Sequence, residues 1–133
     1  LRRARLKDPL KAKHLRKALE SLAEEGVTQL FKPSLGADMI VGAVGALQID
    51  VMRERIKTEY GLEVTFEVPP YQIARWIVSE DKIALEQFIS KSISNSGVDA
   101  DDDPVFLAKS YWDVNYAEEK YPKIRFLTSK ERI

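Results

Sequence analysis

The chain has no cysteine and a single histidine, His14, among 133 residues. Without thiols there is no disulfide and no thiolate metal centre, and one imidazole has no partner for a Cys–His or two-histidine site. No apolar run approaches the ~20 residues that a membrane-spanning helix needs, and no signal peptide is visible at Leu1. Net charge is lacking as well, since 21 basic side chains balance 21 acidic ones. Attraction to a polyanion would have to come from segregation of charge rather than from its total. What is present is an ordinary globular composition, 44% hydrophobic and 32% charged, with length for one compact domain and its core. A cytoplasmic protein is the expectation.

The charges are segregated. Arg2, Arg3, Arg5, Lys7, Lys11, Lys13, Arg16 and Lys17 are opposed only by Asp8, whereas Asp99, Asp101, Asp102 and Asp103 cluster together. Such blocks are either solvated faces or contact surfaces for a partner of opposite sign.

Residues 1–6 read as a short strand. Asp8-Pro9 supplies an N-cap and a proline at the first helical position. Ala12, Leu15, Leu19 and Leu22 then recur at helical spacing, with Lys13 and Lys17 nearly opposite and His14 and Arg16 at the flanks. Gly26 reads as the left-handed residue past the helix end. A strand is expected over 27–31, and a second over 39–44 whose continuous apolar run predicts burial on both faces. A helix over 47–60, closed by Gly61, carries Ile49, Met52, Ile56 and Tyr60 on one face. Residues 63–68 alternate as a strand, Pro69-Pro70 interrupts, and 71–78 continue extended.

The order predicts an α+β fold: a ferredoxin-like split βαβ sandwich, βαββαβ, with a C-terminal α/β extension. The expected layout is a single domain, with 1–78 as the ferredoxin-like core and 79–133 as an extension packed on it. In the extension, Ser79 is the expected cap of a helix over 80–95, followed by a polar loop over 95–103. A strand over 105–114, a short helix over 115–121 and a last strand over 124–128 complete it. No internal repeat is evident.

Several segments invite a chemical reading. Gly42 and Gly45 lie between a strand and a helix, as phosphate-binding glycines do. The lysine and hydroxyl of a P-loop are missing, since Ala46, Leu47 and Gln48 stand there, and so is the third glycine of a dinucleotide fingerprint. Close packing of a tight corner is the better reading. Asp99, Asp101 and Asp103 have EF-hand spacing, but Pro104 and Ser110 stand where that loop needs glycine and glutamate, which leaves a solvated loop. Trp76, Phe88, Phe106, Tyr111, Trp112, Tyr116, Tyr121 and Phe126 crowd the second half. They are suited to stacking on bases, but their apolar setting points to core packing. These residues yield no catalytic residue, metal site or cofactor site.

KDPLKAKHLRKALESLAEEG (7–26) followed by DMIVGAVGALQIDVMRERIKTEYGLEV (38–64) resembles the third domain of translational GTPases. Ala46 and Gln48 differ from the glutamate and histidine usual in elongation factor G. RLKDPLK (5–11), VGAVGALQIDV (41–51), ARW (74–76) and EEKYPKIRF (118–126) resemble bacterial peptide chain release factor 3. The resemblance implies the C-terminal domain of a factor whose GTP form binds the ribosome and promotes departure of class I release factors. It implies GTP or GDP and magnesium in an N-terminal domain outside these residues, and a barrel-like domain beside it. The partners implied are small-subunit rRNA and a ribosomal protein near the decoding region, with no membrane. The family supplies no contact motif, so candidates come from charge: Lys13, Arg16 and Lys17 first, then Lys11, Arg53 and Lys57, acting on phosphates rather than reading sequence. A ferredoxin-like module that binds a small regulatory molecule is the alternative.

Overall fold

The structure, a computed structural model, describes residues 1–36, 38–43 and 45–129. The chain divides into two compact units, Leu1–Lys32 with Asp38–Pro69 and Pro33–Ala37 with Pro70–Ile133.

The first unit runs β1 (Arg2–Leu6), α1 (Ala12–Glu24), β2 (Gln29–Pro33), β3 (Met39–Gly42), α2 (Ala46–Tyr60) and β4 (Val64–Glu67). Its strands lie in the order β4-β1-β3-β2, every neighbour antiparallel, which is the expected split βαβ topology. Local chemistry explains the boundaries. Asp8 Oδ1 accepts from the Leu10 N–H at 3.1 Å and caps a 3-10 turn, Pro9–Lys11, that leads into α1. Gly26 (φ +80°) and Gly61 (φ +66°) end the two helices in the left-handed region, where a side chain would be strained. Leu15, Ala18, Leu19 and Leu22 form the buried stripe of α1, and Met52 and Ile56 that of α2.

Register places Ala4 opposite both Met39 and Phe66, so these three share one sheet face; Arg53 of α2 lies over the Phe66 ring, which identifies that face as the helical one. Phe31 and Ile40 are paired on the opposite face and are also buried, so both faces of β3 are covered, as its apolar run predicts. Val44, the last residue of that expected strand, lies outside the described residues. The glycine corner is a packing device at one of its two positions. A Cβ on Gly42 would meet Gln29 Oε1 at 3.1 Å and the Phe31 ring at 3.4 Å, whereas one on Gly45 would meet nothing.

The second unit runs β5 (Ile73–Val78), α3 (Lys82–Lys91), β6 (Ser96–Asp99), β7 (Pro104–Ala108), α4 (Tyr111–Lys120) and β8 (Arg125–Leu127). Its order is β6-β7-β5-β8, again antiparallel throughout. The expected extension is thus itself a βαββαβ unit with the same strand permutation as the first. Residues 73–78 open this unit rather than closing the first: β5 pairs with β7 and β8, which moves the division from Val78 to Pro69-Pro70. Three local expectations change with it. Asp81 caps α3, accepting from the Ala84 N–H at 3.1 Å, while Ser79 Oγ donates to the Lys123 carbonyl. The hydrogen bond from the Ala84 N–H, with the Lys123 ammonium beside it, holds the Asp81 carboxyl below its usual range. The expected loop over 95–103 contains β6. The expected strand over 105–114 stops at Ala108, because Ser110 begins a helix that buries Val114 and Ala117 three residues apart.

Phe88 is the hub of the second core, edge-to-face with Phe106, Tyr121 and Phe126 at 5.5, 4.7 and 5.5 Å between centroids. Asp99 is not solvated but 6% exposed. Its Oδ2 accepts from Trp76 Nε1 at 2.9 Å, and its Oδ1 accepts from the N–H groups of Asp101 and Asp103 at 2.9 and 3.0 Å. The carboxylate oxygens of Asp99, Asp101 and Asp103 lie within 4.8 Å of one another. The hydrogen bonds to Asp99 account for its position as the closure of the β6–β7 turn, in which Asp102 takes a left-handed φ of 65°. Replacing Asp99 by alanine removes the acceptor of the buried Trp76 N–H and the closure of the turn, and is expected to cost about 1–3 kcal/mol, read as a lowered urea midpoint.

Candidate nucleic-acid interface

Folding sorts the basic N-terminal segment into two groups. Three cations in and just after β1 are neutralised by acids that the sheet brings alongside, Arg3 by Asp38 (3.2 Å), Arg5 by Glu67 (3.3 Å) and Lys7 by Glu63 (3.2 Å), while Arg2 donates to the Leu1 carbonyl at 2.8 Å. Arg3 Nε is buried and reaches Asp38 in ion-pair contact without hydrogen-bond alignment. Lys11, Lys13, Arg16 and Lys17 are exposed and, among the described residues, their side chains have no ion-pair or hydrogen-bond partner. Lys13 and Lys17 sit one turn apart, with Arg16 beside them, because Leu15, Leu19 and Leu22 fix the inward face of α1. His14 is exposed on the same helix.

This helix is charged against its own dipole. Its first turn has no acid and its last turn no base, whereas a helix favours the reverse by about 0.3–1 kcal/mol per charge. At the acidic end the mismatch is compensated: Arg55 of α2 bridges Glu25 at 3.1 Å, and Lys32 reaches Glu20 at 3.5 Å. Hydrogen bonds to Glu59 and Glu25 raise the Arg55 guanidinium above its already high range, and Arg55 in turn lowers the Glu59 carboxyl. At the basic end, among the described residues, no ion pair does the same. Lys13 is an unpaired cation in the first turn, where the helix disfavours it, and Arg16 and Lys17 extend the exposed ridge beyond that turn.

Lys11, Arg53 and Lys57 gather elsewhere on the first unit. Leu6, Lys7, Leu62 and Glu63 line two adjoining clefts of about 250 and 370 Å³. Lys11 adds to the smaller, and Arg53 and Lys57 to the larger. Arg53 is already engaged, by Asp50 at 3.1 Å and by the Phe66 ring at 5.8 Å. Lys57 is exposed and, among the described residues, unpaired. The six expected residues therefore form an unpaired ridge on α1 and a looser basic rim around an apolar floor.

The sequence misled on part of the aromatic set. Trp76, Phe88 and Phe106 are buried, but Tyr111, Trp112 and Tyr116 lie exposed along α4. Their outward position could have been found from the three-residue spacing of Val114 and Ala117, which fixes the buried side of the helix. Among the described residues, no helix is long and apolar enough to cross a membrane.

A protein-family model, class II release factor RF3, C-terminal domain, matches residues 1–118. The match covers the first unit and the second through most of α4. With the unpaired α1 ridge and the two split βαβ units described, the chain belongs to the family of the class II release factor RF3 C-terminal domain, a part of a translational GTPase of translation termination.

Proposed function

We propose that this chain is a noncatalytic ribosome-docking and conformational-coupling domain. In this reading α1 sets Lys13, Arg16 and Lys17 against phosphates of small-subunit rRNA, with Lys11, Lys57 and the rim near Arg53 as secondary contacts. The carrying observation is the exposed, unpaired ridge on α1, with Lys13 in the disfavoured first turn, of a release-factor domain. Phosphate contacts fix position and orientation without reading bases, which suits a domain that relays the state of a GTPase elsewhere in the factor to the ribosome. GTP or GDP and magnesium would act in that GTPase domain and not on these residues, and the work is cytoplasmic.

In the complete factor, Lys13→Glu with Lys17→Glu should slow ribosome-dependent release of class I release factors. GTP hydrolysis measured without ribosomes should stay the same. Normal recycling by that variant would overturn the reading. Melting of the chain raised by a metabolite, with no ribosome binding, would favour a regulatory small-molecule module instead.

A further inference from the structure

Helix α4 is built inside out. It buries only its small residues, Val114 and Ala117, and turns its three largest rings outward: Tyr111 is 67%, Trp112 69% and Tyr116 50% exposed. Isolated exposed rings are common on protein surfaces, but a contiguous group of them marks a contact site. Trp112 and Tyr116, one turn apart, are stacked at 5.4 Å with only 11° between their planes. Cations surround them. Lys120 lies 5.7 Å from the Tyr116 ring centre, and Arg75 lies 5.7 Å from that of Tyr111. Beside the rings, Lys91, Lys109, Lys120 and Asn95 line a cleft of about 400 Å³ whose single carboxylate is Asp113. The three lysines have no ion-pair partner among the described residues. Glu118 and Glu119 are the other acids of the helix, both exposed.

We propose that the outer face of α4 is a second RNA-contact surface, on which unpaired bases stack against Trp112 and Tyr116 while Lys91, Lys109 and Lys120 hold the flanking phosphates. Flat rings beside a cationic cleft are the pairing that single-stranded RNA recognition uses. An acidic polypeptide would satisfy the lysines but leave the stacked rings without a planar partner. The surface involves none of the α1 ridge, so it deepens the reading of the chain as an RNA-docking domain while being testable apart from it.

The test is binding of the 133-residue chain to a labelled ten-nucleotide oligoadenylate at low salt, followed by anisotropy and by tryptophan fluorescence. Trp76 is buried, so quenching should come from Trp112 and vanish in Trp112→Phe. Trp112→Ala should weaken binding about 5- to 150-fold per stacked base, with an unchanged melting curve. Lys109→Gln with Lys120→Gln should flatten the salt dependence, and a blunt-ended RNA duplex should compete poorly. Lys13→Glu with Lys17→Glu should retain the quenching even if it abolishes ribosome binding. Equal affinity of Trp112→Ala for the oligonucleotide would overturn the proposal, as would binding of polyglutamate in preference to RNA.

Discussion

Reversing the charges of Lys13, Arg16 and Lys17 together should weaken binding of this chain to small ribosomal subunits about 100-fold at 0.15 M salt. Each neutralised phosphate contributes a slope of about 0.9 in log affinity against log salt, which is roughly a factor of five at that concentration, and three contacts multiply. The fold should survive. All three side chains are exposed and unpaired among the described residues, and the inward stripe of α1 is untouched. A carboxylate at position 13 gains from the helix dipole, while one at position 17 faces Glu20 one turn on. These effects are each below about 1 kcal/mol and oppose one another. Equilibrium sedimentation with subunits, alongside a thermal melt, separates lost contact from lost structure.

Phe88→Ala should have the opposite profile, destroying structure first. Phe88 is 1% exposed and touches three other rings, so its removal opens a cavity that β7, α4 and β8 cannot all close. The expected cost is about 3–5 kcal/mol, a large part of the ~5–15 kcal/mol that holds a typical domain folded. Fluorescence of Trp76, followed in a Trp112→Phe background, reports the second unit directly. An early melt there, with the α1 ridge still binding subunits, would show that the two βαββαβ units have separable stability.

The first unit was legible because its punctuation is explicit. Asp8-Pro9, Gly26 and Gly61 mark helix ends by backbone chemistry, and the α1 stripe repeats without a break. The second unit hides its strands. β6 is Ser-Gly-Val-Asp, buried through small side chains and a hydrogen-bonded carboxylate, so it carries no apolar alternation to recognise. Without it the second half lacks a strand, and the repeated topology cannot be seen. α4 misleads in a different way: Tyr111 and Trp112 have strand-like propensity, and the helical signal rests on Val114 and Ala117 alone. The candidate ridge on α1 could be read from a helical wheel. Which N-terminal cations stay unpaired could not, because Asp38, Glu63 and Glu67 are distant in sequence and arrive through sheet register.

The most direct test of the account is the salt dependence of small-subunit binding by the unaltered chain and by the Lys13, Arg16 and Lys17 reversal. If α1 docks on rRNA phosphates, log affinity should fall linearly with log salt, and the slope should drop by about two to three units in the variant. Identical slopes and affinities for the two proteins would contradict it.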